Sequence, residues 1–180
     1  MKSLFALLLL LSPATLARAA INPVAPPTEL AFGIISTESA TGLRLGFEPF
    51  LEKLSARLGI KVRGFYASDY AGVIEAMRFG KVHLAWMGNA AAIQAIDRAG
   101  AEVFAQSTGP DGSTGYNAVI IVPATSPYAD VDALVAAGPQ LSFGNGDPLS
   151  TTGNLIPNFY LWAPRGIDPR RAFKRVRNAN

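Results

Sequence analysis

Ser142-Phe143-Gly144-Asn145-Gly146-Asp147-Pro148-Leu149-Ser150-Thr151-Thr152-Gly153 decides how this chain is read. A short apolar strand runs into a glycine-rich turn, and three consecutive hydroxyls stand where a helix should begin. The first N–H groups of a helix have no partner inside it, and the helix dipole places partial positive charge there. Hydroxyls and bare amides together make an anion site. The same text is also an ordinary strand–turn–helix junction in which Ser150 is the N-cap. The surrounding chain has to separate the two readings.

Working outward, Leu30 to Ile35 is a nearly continuous apolar run, as a buried strand requires. Ser36 to Gly42 reads as a polar loop. Phe47, Phe50, Leu51, Leu54 and Leu58 then recur at helical spacing, and Gly59 ends that helix. Lys61 to Tyr66 is a strand. Asp69 caps a helix carrying Val73, Ile74 and Met77, which Gly80 stops. Val82 to Met87 is a strand, and Gly88-Asn89 turns into the helix Ala90 to Arg98. Val103 to Gln106 and Tyr116 to Val122 read as further strands around the Pro110-Asp111-Gly112 turn. Beyond Pro123 to Pro127, a hinge candidate, the pattern gives a helix near Asp130 to Ala137 and the Leu141 strand. A helix follows from Ser150 to about Trp162, which Pro157 should kink or shorten. One short helix and one strand come after Pro164.

Strands alternating with helices predict an α/β fold with a largely parallel sheet. In such sheets ligands sit in loops beyond the carboxyl ends of the strands. Ser36-Thr37-Glu38-Ser39, Ser68-Asp69-Tyr70, Met87-Gly88-Asn89 and Gly144 to Thr152 all fall on that edge. Residues 30–122 read as a first lobe and 123–180 as a hinge and a second lobe. Residues 1–19 read as an export signal and 20–29 as a Pro-rich tether. In the signal, Lys2 is the basic start, Leu4 to Leu11 the short apolar run, and Ala17-Arg18-Ala19 the cleavage site, with cleavage near Ala19. The mature chain is expected outside the cytoplasm.

The chain has 16 basic and 13 acidic residues, and the leader's Lys2 and Arg18 reduce the basic count to 14. Six of those are Arg165, Arg170, Arg171, Lys174, Arg175 and Arg177, gathered at one end. No nucleic-acid module surrounds them, so a nucleic-acid partner is not expected. There is no cysteine, so disulfides, thiol catalysis and thiolate metal sites are excluded. His83 is the single histidine and lies in a predicted strand, where a structural role is expected. It has no second imidazole with which to build a metal cluster. There is no Gly-x-Ser-x-Gly elbow, no Walker A lysine and no dinucleotide fingerprint. Asp69 and Asp147 read as a helix cap and a turn residue rather than a carboxylate pair. Binding without a cofactor remains: Ser150, Thr151 and Thr152 can hold an oxyanion, with Tyr70 and Tyr116 as candidate walls.

At this point the chain resembles the phosphonate-binding periplasmic proteins of ABC transporters, the PhnD family. Phe32-Gly33-Ile34-Ile35-Ser36-Thr37-Glu38-Ser39 resembles the family's opening strand and loop, and Ser68-Asp69-Tyr70-Ala71-Gly72 its next helix start. Ala85-Trp86-Met87-Gly88-Asn89, Asp111-Gly112-Ser113-Thr114-Gly115-Tyr116 and Phe143 to Gly153 follow in order. The resemblance implies a two-lobed type II periplasmic-binding-protein fold that closes on its ligand, with the second lobe incomplete in this chain. It puts the phosphonate oxygens on Ser150, Thr151 and Thr152. It makes Tyr70 and Tyr116 the pocket tyrosines and completes the anion site with Ser36-Thr37 and Gly88-Asn89. Met87 stands where a tyrosine is common in relatives. Relatives also continue past Asn180 with a histidine and acidic residues that meet an ammonium group in aminophosphonate binders. A C-terminally truncated product, stable in its first lobe at best, is therefore expected. The implied function is capture of phosphonate, phosphite or phosphate for an ABC permease, with no reaction and contact with the membrane only through that permease. The rival readings are a sensor or interaction module on the same fold, and a remnant that binds nothing.

Overall fold

A computed structural model of the chain describes residues 27–178. The leader at 1–19 and most of the tether at 20–29 lie outside the described residues. The first unit contains β1 (Glu29–Ile34), α1 (Ala40–Leu58), β2 (Lys61–Tyr66), α2 (Tyr70–Arg78), β3 (Leu84–Trp86) and α3 (Asn89–Ala99). Its sheet has the order β2-β1-β3, and both pairings are parallel. Ile34 is in register with both Tyr66 and Trp86. The three strands therefore end level with one another, and the three loops that follow them share one edge.

Alternation along β1 builds a layer on each face of the sheet. Ile34 packs with Leu43, Leu51 and Val62 beneath α1. On the other face Ile35, Val73, Ile74, Ala91 and Ala95 join α2 and α3. Gly33 allows the close approach there, because a Cβ at this position would lie 2.6 Å from Val73 Cγ1. The expected stops are present: Gly59 and Gly80 have φ values of 68° and 66°. Asp69 Oδ1 accepts the Gly72 N–H at 2.7 Å and caps α2. His83 is structural. Its Nδ1 accepts the Ala31 N–H at 3.0 Å, and its own N–H bonds to the Ala31 carbonyl.

The second unit contains α4 (Val131–Ala136), β4 (Ser142–Asn145), α5 (Pro169–Ala172) and β5 (Arg175–Asn178), with β4 and β5 paired in parallel. Leu134, Trp162 and Phe173 form its core. Phe143 stacks on Phe173 at 5.0 Å and meets Trp162 edge-on at 5.6 Å.

Three local expectations are corrected. The polar loop after β1 is shorter than read: α1 begins at Ala40, because Ser39 Oγ caps Gly42 N–H at 3.1 Å and Leu43 is buried. Capping and burial outweigh the poor helix propensity of Thr41 and Gly42. Val103 to Gln106 and Tyr116 to Val122 have strand-forming composition but form no strand. A strand needs a hydrogen-bonded neighbour, and none lies beside them among the described residues, which leaves Ile121 86% exposed. Pro157 does not shorten its helix. The chain winds instead as consecutive π-helical segments, Thr151–Leu155 and Pro157–Trp162, with Leu155 N–H reaching the Ser150 carbonyl five residues back. Wide turns of this kind are rare and concentrate at functional sites.

Candidate functional site

The level ends of β1, β2 and β3 bring three loops together, and the second unit lays the loop after β4 across them. A cleft of about 1390 Å³ lies there. Thr37, Tyr70, Gly88, Asn89, Tyr116, Ser150, Thr151 and Thr152 all line it. Ser36 is not among the lining residues but precedes Thr37 at the end of β1. It is 8% exposed, and its Oγ has no hydrogen-bond partner among the described residues. A buried hydroxyl without a partner is costly and is suited to receiving a polar ligand.

The hydroxyl triplet sits at the start of the π-helical segment. Ser150 Oγ accepts the Gly153 N–H at 3.0 Å, so its capping role is real. Thr151 Oγ1 accepts the Ala90 N–H at 2.9 Å, which places it on the first turn of α3. Gly88 is the N-cap of α3 and makes no side-chain cap of its own. A Cβ on Gly88 would lie 3.2 Å from Thr151 Oγ1 and 4.0 Å from the Tyr116 hydroxyl. The N-cap glycine thus lets the two walls of the cleft meet. Tyr116 reaches this point from the unpaired run and remains largely exposed.

Among the described residues no Lys or Arg lines the cleft. Any anion there is held by hydroxyls, backbone N–H groups and the dipole of α3. No group of three His, Asp or Glu among the described residues is placed to hold a metal ion.

Tyr70 begins α2 and is buried. Burial raises its phenol above the ordinary value of 10.0; the nearby Ser150 hydroxyl opposes this, and the charges of Asp147 and Tyr116 add to it. The phenol therefore stays a neutral donor well into alkaline solution. The raised folded-state value contributes stability that is complete below the ordinary tyrosine value and is lost as pH rises through the folded-state value. Across about pH 9 to 11, the urea midpoint of the wild-type chain should fall more steeply than that of Tyr70→Phe. Equal slopes would mean that Tyr70 ionises as a solvent-exposed phenol.

Three features of the site were not read from the sequence. Asp147 is more than a turn residue, since its Oδ2 also accepts the Tyr70 N–H across 77 residues of sequence at 3.2 Å. Gly146 and Gly153 touch backbone to backbone, and Gly146 N–H donates to the Gly153 carbonyl at 2.8 Å. Asn154 Oδ1 accepts from Asn145 and Asn158, and its amide donates to the Pro148 carbonyl. The paired glycines flanking the loop were the one available signal. The other two contacts are long-range or lie within a winding that composition does not announce.

A family model described as ABC transporter, phosphonate, periplasmic substrate-binding protein matches residues 32–180. The chain belongs to this family. Members of this phosphonate-binding family are substrate-binding transport proteins rather than enzymes. Over 177 residues, 98% of its length, the chain is 46% identical to the phosphonates-binding periplasmic protein of Escherichia coli K12, and it covers 50% of that protein. A solved binding-protein component of an ABC phosphonate transporter from Pseudomonas aeruginosa superimposes with a TM-score of 0.78 at 44% identity. That match covers 84% of this chain and 50% of the other. The fold is shared more distantly with PhnD1 of Prochlorococcus marinus, solved with methylphosphonate, at 20% identity and a TM-score of 0.58, covering 82% of this chain and 53% of that one. The periplasmic-binding-protein fold is thereby shown for the part this chain spans. The chain spans about half the length of the family relatives it matches.

Proposed function

We propose that the chain captures a small phosphorus oxyanion, a phosphonate, phosphite or phosphate, in the periplasm for delivery to an ABC permease. One observation carries the reading. Ser150, Thr151 and Thr152 line a cleft beside the start of α3, where Gly88 supplies no side-chain cap and Thr151 Oγ1 bonds to the Ala90 N–H, and among the described residues no Lys or Arg lines that cleft. Neutral donors of this kind stabilise an oxyanion and leave its release to the opening of the cleft. In this reading Ser36, Thr37, Gly88 and Asn89 complete the donor set, and Tyr70 and Tyr116 wall the substituent on phosphorus. No bond is made or broken. Ligand favours the closed arrangement by as much as it binds that arrangement more tightly. The leader sequence supports export, and the family's description supports the permease as partner.

A second reading is favoured by the exposed run from Val119 to Val122: a chain that folds its first unit and captures nothing. Thermal unfolding of residues 20–180 separates the two. It is run with excess 2-aminoethylphosphonate, methylphosphonate, phosphite and phosphate. Ligand at a hundredfold its Kd stabilises the native state by about 2.7 kcal/mol. A rise in midpoint that is lost in Ser150→Ala with Thr151→Ala supports capture. No rise with any of the four supports the second reading.

A further inference from the structure

We infer that Asp147 is the positioning residue of the anion site: its carboxylate joins the start of α2 to the loop after β4 and so seats Thr151 on α3. The inference rests on the anion-binding reading for its consequence to ligand, but not for its geometry. Asp147 is 5% exposed. One carboxylate oxygen accepts the Tyr70 N–H at 3.2 Å and the other accepts the Leu149 N–H at 2.7 Å. Its carbonyl accepts the Ser150 N–H at 2.8 Å. No Lys, Arg or His among the described residues pairs with it in an ion pair. The positive end of the α2 dipole takes that place.

Both oxygens are therefore committed to backbone donors, one in each unit. Asp147 is buried and is not among the residues that line the cleft, so it acts through the loop rather than by touching the anion. The start of α2 now carries two carboxylates, Asp69 as cap and Asp147 at its first N–H. An incoming anion is repelled from α2 and directed to α3. There the competing acceptor is the neutral hydroxyl of Thr151. Asp147 thus does two things: it holds the triplet in place and closes the wrong helix terminus to ligand.

Residue-resolved amide hydrogen exchange on the whole chain tests this. Ala90 N–H bonds to Thr151 and not to Asp147, so its protection reads positioning rather than the deleted bond itself. In Asp147→Ala, exchange at Tyr70 and Ala90 should quicken roughly tenfold or more, while β1 keeps its protection. Binding of methylphosphonate, followed by calorimetry, should weaken by a similar factor. Unchanged protection at Ala90 with β1 intact would overturn the inference. If β1 also loses protection, Asp147→Asn is read instead, since it keeps the volume and one acceptor oxygen. If the wild-type chain binds no methylphosphonate, the anion reading fails, while exchange at Ala90 still decides the role of Asp147.

Discussion

Gly146→Ala should weaken oxyanion capture roughly a hundredfold, and Gly144→Ala, two residues away, should leave it intact. A Cβ on Gly146 would stand 2.6 Å from Gly153 Cα and 2.8 Å from Gly153 C. Both atoms are backbone, and no side chain can swing aside to relieve the clash. The loop from Asp147 to Thr152 must move outward, breaking the Gly146 N–H bond to the Gly153 carbonyl. Overpacking of this kind costs about 1–3 kcal/mol of stability. The functional loss is larger, because the triplet leaves its place opposite α3. Losing two hydrogen bonds to a charged ligand weakens binding roughly a hundredfold. Gly144 has nothing within 4 Å of its would-be Cβ, so alanine there should change stability by less than about 0.5 kcal/mol. Calorimetric titration of both variants with methylphosphonate reads the contrast. Equal affinities would mean that the glycine contact does not set the loop.

Trp162→Ala should unfold the second unit and spare the first. Trp162 is 1% exposed and sits edge-on to both Phe143 and Phe173. Among the described residues, Leu134 and Phe173 are the other buried members of the core it completes. Removing a buried aromatic side chain costs about 3–5 kcal/mol, more than so small a core can absorb. The two consecutive π-helical segments from Thr151 to Trp162 would lose their anchor, and with it the hydroxyl triplet at their start. Hydrogen exchange should show β4 and β5 unprotected and β1 still protected. Trp162→Phe keeps a ring and removes an indole Nε1 that has no acceptor among the described residues. Its cost should stay below about 1.5 kcal/mol. Simultaneous loss of both sheets in Trp162→Ala would show one cooperative unit rather than two.

Elements governed by local rules were legible in the sequence. Lys61 to Tyr66 alternates, Asp69 caps, and Gly59 and Gly80 stop, and each appears where expected. The loops at the strand ends were legible for a topological reason, since parallel strands put their carboxyl ends on one edge. The failures share a different cause. Val119 and Ile121 have the composition of a strand, but pairing depends on a neighbour elsewhere in the chain. The bond from Tyr70 to Asp147 spans 77 residues and leaves no periodic trace. Pro157 signals a helix break, yet the chain winds on through it in wide turns from Thr151 to Trp162. Thr151 lines the cleft, and its Oγ1 also accepts the Ala90 N–H at the start of α3. Ligand must compete with that hydroxyl or be joined by it.

The most direct measurement is a crystal structure of the chain grown with methylphosphonate. Phosphorus should lie between the hydroxyls of Ser150, Thr151 and Thr152 and the first turn of α3, with Asp147 still bonded to Tyr70. Phosphonate at the start of α2 in place of the Asp147 carboxylate, or an empty cleft at saturating ligand, would contradict it.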